Sequence, residues 1–417
     1  MWRRMSAIVG TSLLAPFRVR SFRFQYPADL LTSWGSEMEN LILGWYILVS
    51  TGSVVLLTLF GSLQYFGTLV APLFGMAGDR LGQRIVMCAM RAFYAVLSSV
   101  LMGLAFAGVL RPLHVFIIAA IAGLVRPADL AMRAALVAET MPPDRFVSAM
   151  GAARTTSDSA RTVGSLAGAG LFAALGLGPA YIFITCFYGL GFLLTLGVGG
   201  ARVGARGGQR SSLWRDLRDG LEHLWDSPSS LAALWLAFLV NLTAFPMTSG
   251  LLPYVARDVY HVDQTGLGTL ISSFAFGALI GSVLISVIGR SIRPARMMIV
   301  FALCWYAMLL VFVRTPNPLS GSVTLICAGL AQSLSLVPMS AMLLHGAGAY
   351  RGRVMGMRML AIYGLPMGLL AAGALIERIG FVATATGYCV VGIALTLAIA
   401  LRWREALWPL HAPANAR

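Results

Sequence analysis

Runs of about twenty predominantly apolar residues recur from one end of this chain to the other, each long enough to cross a bilayer. Inside hydrocarbon no water can satisfy a peptide N–H or C=O, so each run must be helical. The runs fall at 24–49, 54–77, 85–108, 113–137, 148–175, 179–199, 230–253, 265–289, 295–313, 319–344, 354–376 and 380–401. The expected fold class is therefore an all-α membrane protein with twelve transmembrane helices in two six-helix bundles. With 58% hydrophobic and 11% charged residues, a soluble globular domain is excluded.

The formal charge of +15 would suggest nucleic acid in a soluble protein. Here every one of the 31 basic residues is arginine, and most lie in short loops on alternate sides of the apolar runs. One side collects the arginines of 3–23, 80–84, 133–145, 202–218, 290–296, 351–353 and 402–417; the other holds only Arg111, Arg257, Arg314 and Arg378. The arginine-rich side is the cytoplasmic one, so both termini are expected there and no nucleic-acid partner is implied. Arg91 and Arg358 fall near span ends and read as snorkelling side chains.

The five cysteines lie in apolar segments without a C-x-x-C pair, and the five histidines are scattered. Neither set suggests a metal or a disulfide. There is no phosphate-binding Walker loop, so no nucleotide or other cofactor is expected. Residues 1–23 begin like a signal peptide, but Arg18, Arg20 and Arg23 follow the apolar stretch in place of a cleavage site, so a cytoplasmic arm is expected. The polar stretch 200–229 divides a bundle at 24–199 from one at 230–401, and 402–417 forms a tail. Within 200–229, Leu213, Trp214, Leu217, Leu221, Leu224 and Trp225 recur at helical spacing, as in an interfacial amphipathic helix. At an offset of about 205 residues, Met150-Gly151 matches Met355-Gly356 and Gly168-Ala169 matches Gly373-Ala374, a faint internal repeat of the kind rocking transporters use.

Between spans 2 and 3 the chain reads Gly75-Met76-Ala77-Gly78-Asp79-Arg80-Leu81-Gly82-Gln83-Arg84. The spacing predicts a short loop whose glycines permit a tight turn, with Asp79 capping the next helix or pairing with an arginine. This segment resembles the loop between helices 2 and 3 of the major facilitator superfamily, with Gln83 where the family prefers a base. The resemblance implies a gating role for Gly75, Gly78, Asp79, Arg80, Gly82 and Arg84, latching the cytoplasmic side and releasing it between states. Ala135-Leu136-Val137, Met141-Pro142-Pro143-Asp144-Arg145, Arg351-Gly352-Arg353-Val354-Met355-Gly356 and Thr51-Gly52-Ser53 are similar to segments of a bacterial exporter branch that includes the enterobactin exporter and macrolide efflux pumps. Span 5 partly matches the family's antiporter motif through Gly151, Ala160, Gly164, Ser165, Gly168 and Ala169. All are small, as close helix packing requires. The motif's proline is missing, and Ala119 stands where drug antiporters carry an arginine; both departures weaken proton-coupled drug antiport. The second half has no counterpart of Asp79.

Charges inside spans are costly and point to function or to pairing. Glu37 lies roughly 20 Å along the first span, at 1.5 Å per residue. It is a candidate proton or substrate site, and Glu39, on another face, is a second. Structural pairing with an arginine of span 4 or 5 is the competing explanation. Arg126 and Asp129, with Arg154, Asp158 and Arg161, read either as a charge network closing the inner gate or as substrate contacts. Gln64, Asn241, Gln332 and Tyr363 are polar cavity candidates. Helix kinks are expected at Pro246 and Pro338.

The sequence thus supports a monomeric secondary transporter of a small molecule in the bacterial inner membrane: a proton-coupled exporter of a drug-like or siderophore-like compound. Proton-coupled uptake of a metabolite is the runner-up. A polytopic membrane enzyme has no catalytic pair to support it.

Overall fold

The structure, a computed structural model, describes residues 15–199, 227–288, 293–344 and 358–408. The expected amphipathic helix of 213–225, the arm before residue 15, Arg290 and the segment 351–356 lie outside the described residues. Among those described, regular structure is helical throughout. In chain order the helices are α1 (Arg20–Thr51), α2 (Val54–Leu63), α3 (Ala71–Leu81), α4 (Gln83–Phe106) and α5 (Pro112–Thr140). They continue with α6 (Pro143–Ser159), α7 (Ser165–Leu175) and α8 (Leu177–Leu196). Then come α9 (Pro228–Thr243), α10 (Gln264–Ile288), α11 (Pro294–Phe312), α12 (Pro318–Leu344), α13 (Gly364–Ile379) and α14 (Phe381–Arg402).

Two compact units result, and each takes a piece from the other's sequence. One comprises 1–52, 63–207 and 263–272; the second comprises 53–62, 208–262 and 273–417. In the first, α1 is the central member, packing on α5, α6, α7 and α8, while α4 packs on α5 and α8. In the second, α11 lies against α12 and α14, and α9 against α12, α13 and α14. Residues 53–62 belong to this second unit: the Ser62 hydroxyl donates to the Pro366 carbonyl at 3.1 Å. The start of α10 belongs to the first: the Ser272 hydroxyl donates to the Thr162 carbonyl at 2.8 Å.

Eight of the described helices are long and apolar enough to cross a membrane. Only 28–56% of each apolar window is buried within the protein. The remainder, including Val96, Leu193, Val283 and Leu395, presents large apolar side chains outward, an arrangement that needs a lipid surround.

Three expected spans are not single helices. The stretch 54–77 breaks after α2 into a short 3-10 turn, Phe66–Leu69, before α3. Here Gly67 lies directly on the Leu124 backbone of α5, and Gly123 of α5 lies on the Leu63 carbonyl. Two backbones approach that closely only where both lack a Cβ at the crossing. The stretch 148–175 holds a π turn, Ala160–Gly164, between α6 and α7. The stretch 230–253 ends α9 at Thr243 and passes into π turns at Pro246–Gly250 and Val255–Val259. Pro246 and Pro253 cannot donate to the helical ladder. Pro338 lies within an uninterrupted α12. The expected loop at 75–84 is also corrected. Helix α3 runs through Arg80 to Leu81 and α4 starts at Gln83, so the turn is the single residue Gly82, with φ 92° and ψ 135°. Only glycine adopts that conformation at low cost.

These crossings generate a stability test. Gly67→Leu should lower the Tm of the detergent-solubilised protein, by an over-packing cost of about 1–3 kcal/mol or more. Gly170→Ala, where an added Cβ meets nothing within 4 Å, should leave Tm unchanged or raise it. Equal effects of the two substitutions would contradict the close crossing.

Candidate functional site

The interior of the first unit is built around polar residues of α1. Gln25, Asp29 and Ser33 recur every fourth residue and so share a face. That face meets α4, α5 and α8. Asp29, 2% exposed, pairs with Arg91 of α4, which is fully buried. Arg91 also donates to the Thr195 hydroxyl of α8. Arg133 of α5 lies 3.7 Å from the same Asp29 carboxylate and pairs with Asp129 one turn earlier on its own helix. It donates to the Ser33 hydroxyl at 2.5 Å and to the Asp29 carbonyl at 3.2 Å. The Gln25 amide donates to the Arg133 carbonyl at 3.0 Å. Two carboxylates and two guanidinium groups thus cancel. Arg91 is no snorkelling residue: a counter-ion on α1 holds it inside. Arg133, read from the sequence as a loop residue, is likewise interior.

A second cluster lies further along α1. Glu39 pairs with Arg126 of α5 at 2.5 Å and accepts the Tyr188 hydroxyl of α8 at 3.0 Å. Arg126 uses its other arm on the side-chain amide oxygens of Asn40 and Gln64, the latter at 2.7 Å. Gln64 directly follows the end of α2, and its side chain leaves the chain at the helix break. Gln64 is the third partner of the guanidinium, after Glu39 and Asn40. Arg126 is satisfied on both arms and Glu39 holds two donors, so neither is free without breaking the pair.

Glu37 differs. It is half-buried and makes no hydrogen bond or ion pair among the described residues. Its Cβ is 3.7 Å from the position a Cβ would take on Gly164, the last residue of the π turn. It lies within electrostatic reach of Arg126 and of the Tyr65 hydroxyl. Gly164 and Gly168 lie against Trp34 and Met38 of α1, whereas Gly151 is exposed and a Cβ added there would meet nothing within 4 Å. The structure thus brings Glu37, Glu39, Arg126, Gly164 and Gly168 to one neighbourhood. Asp158 is half-buried in the last turn of α6; the side chain of Arg154 lies outside the described residues.

The glycine-rich segment is a separate place. Gly75, Gly78 and Arg80 belong to α3, and Arg80 is exposed. A Cβ on Gly78 would meet the Gln83 amide. Arg84, in the first turn of α4, donates to the Leu196 carbonyl at the end of α8. The Asp79 side chain lies outside the described residues. The cap position of α4 is Gly82, without a side-chain cap. In the second unit, interior contacts such as Thr243–Tyr306 at 2.6 Å and the Ser335 hydroxyl on the Met298 carbonyl at 2.9 Å are neutral.

An all-helical protein with an apolar exterior and compensated charges inside has the makings of a membrane transporter. The chain belongs to the major facilitator superfamily, whose family model matches residues 27–371. No curated protein matches it in sequence. Among solved structures, the POT family transporter PepTSo aligns over 94% of this chain and 99% of its own, with TM-score 0.74 and 9% identity. The nucleoside transporter NupG aligns over 93% and 99%, with TM-score 0.64 and 14% identity. A bacterial homologue of the human lysosomal transporter Spinster, in an inward-facing, unoccupied conformation, aligns over 93% and 96%, with TM-score 0.69 and 12% identity. These likenesses carry the fold. Together with the family they make the chain a multi-pass membrane transporter rather than an enzyme.

The buried network yields its own test. Asp29→Asn leaves two guanidinium groups facing a neutral amide, and losing one partner of a buried pair costs about 3–5 kcal/mol. Arg91→Met alone should cost a similar amount. The double variant should be markedly more stable than the sum of the two losses allows, as denaturation in a double-mutant cycle reads out. Strict additivity would show that the two side chains do not interact.

Proposed function

We propose that this chain is a proton-coupled exporter of a drug-like or siderophore-like small molecule, related to the bacterial exporter branch its loop segments resemble. The reading places twelve spans across the bacterial inner membrane, with both termini and the stretch 200–229 in the cytoplasm and the protein a monomer. Transport proceeds by alternating access, the substrate site opening to one face of the membrane at a time. One observation carries it. Asp29 and Glu39 of α1 are each committed to arginine, while Glu37 on the same helix has no such partner among the described residues. An ionisable side chain within a membrane-spanning bundle and without an ion-pair partner marks a functional site. The Glu37 carboxylate can take a proton or a substrate cation, but not both. That exclusion couples the two fluxes.

In proteoliposomes, Glu37→Gln should abolish accumulation driven by a pH gradient while permitting exchange and downhill flux. Glu39→Gln should do less to coupling and more to stability, because it strands Arg126. Full uphill transport by Glu37→Gln, with unchanged pH dependence, would remove Glu37 from the coupling role.

The glycine-rich segment is assigned to state exchange. Asp79→Asn should slow transport severalfold while leaving expression and substrate affinity largely intact. Wild-type turnover in this variant would leave the segment with a purely topological role.

A further inference from the structure

Two helix irregularities converge on one stretch of α1. The helix break after α2 sets Gln64 and Tyr65 beside Arg126. The π turn Ala160–Gly164 carries Arg161 and ends on Gly164, which faces Trp34 and Glu37. Wide turns of this kind inside helices occur frequently at functional sites. Tyr65 lies within electrostatic reach of Arg161, Glu37 and Arg126 together. Arg126 is committed to Glu39. Among the charges that reach Tyr65, two of opposite sign are left, Glu37 and Arg161; Asp158, one turn before Arg161, has a partner of its own. Glu37 and Arg161 are both half-buried, and neither makes an ion pair among the described residues. Each is costly in such surroundings without a counter-charge. They share a neighbourhood yet do not meet, so a molecule between them satisfies both. The wall beside them is aromatic: Trp34 packs edge-on against Phe187 at 6.3 Å, and its indole N–H reaches the Ser159 hydroxyl at 3.4 Å.

We infer that Glu37 and Arg161 form a two-ended site for a zwitterion, its ammonium on Glu37, its carboxylate on Arg161, and an apolar or aromatic body between them beside Tyr65 and Trp34. The inference rests on the transport reading above and narrows its substrate class. The planar guanidinium fork suits a carboxylate. The ammonium competes with the proton for Glu37, which is the exchange that coupling requires.

The test uses the purified full chain in detergent for binding and in proteoliposomes for flux. The probes are para-(aminomethyl)benzoic acid and trans-4-(aminomethyl)cyclohexanecarboxylic acid, whose rings separate the two charges, each as the zwitterion, the methyl ester and the N-acetyl derivative. Charge-assisted hydrogen bonds are among the stronger polar contacts. Each zwitterion should therefore bind about tenfold or more tightly than either blocked form. Arg161→Gln should erase the preference over the ester, and Glu37→Gln the preference over the N-acetyl form. Arg161→Lys, which keeps the charge and loses the fork, should keep part of the preference that Arg161→Gln loses entirely. Equal binding of the three forms, binding by none of them, or an unchanged preference in Arg161→Gln overturns the assignment. Proton-driven flux of the esters alone would leave the transport reading standing and sink the zwitterion class. Zwitterion-selective binding without proton movement would do the reverse.

Discussion

An arginine inside a hydrocarbon-facing bundle persists only where a counter-charge meets it, and Asp29 meets two. Its carboxylate holds Arg91 of α4 and lies beside Arg133 of α5, so one residue of α1 ties three helices together. Asp129 completes the charge balance on Arg133. Replacing any one of the four leaves a buried charge without compensation, which costs more than the pair contributes over an apolar equivalent. The arrangement therefore acts as a condition on the packing: α1, α4 and α5 can adopt only those registers in which all four groups meet.

Further along α1 the same logic is used differently. Glu39 and Arg126 cancel, and Asn40, Gln64 and Tyr188 take up their remaining hydrogen bonds. That closure depends on a broken helix. Had 54–77 run as one helix, the Gln64 side chain would have left the chain in a different direction. The break is in turn held by Gly67 and Gly123, whose missing side chains let two backbones touch. Small residues at one crossing thus decide which polar atoms reach an arginine on the neighbouring helix.

How much of this was readable in advance follows from the same physics. The apolar runs and the helical class were legible because hydrocarbon leaves the backbone no other choice. The family was legible in Asp79-Arg80-x-Gly82, because only glycine turns the chain with φ 92° in one residue. The broken and widened helices were not legible. Gly67 and the π turn at 160–164 are set by a partner helix, and hydropathy carries no trace of a partner. Arg91 was misread for a related reason: its distance from a span end suggested snorkelling, and its counter-ion lies 62 residues away. A signal was present even so, since Gln25, Asp29 and Ser33 repeat every fourth residue along an otherwise apolar helix.

Glu37 and Glu39 show how two residues of one type, two positions apart, come to different chemistry. On a helix they point about 160–200° apart, since each residue turns the chain by about 100°. Glu39 faces α5 and α8 and is neutralised there. Glu37 faces the π turn, where Gly164 offers no side chain and Arg161 stands off. A straight α-helical turn at 160–164 would shift the register of everything after it, and Gly168 would no longer lie on Met38. The widened turn therefore lets close packing and an unpaired carboxylate coexist on neighbouring faces of one helix pair. On the proposal that Glu37 carries the coupling proton, that separation keeps the carboxylate free to bind and release it. Pairing it permanently would stabilise the bundle and, on that proposal, remove the group from the transport cycle.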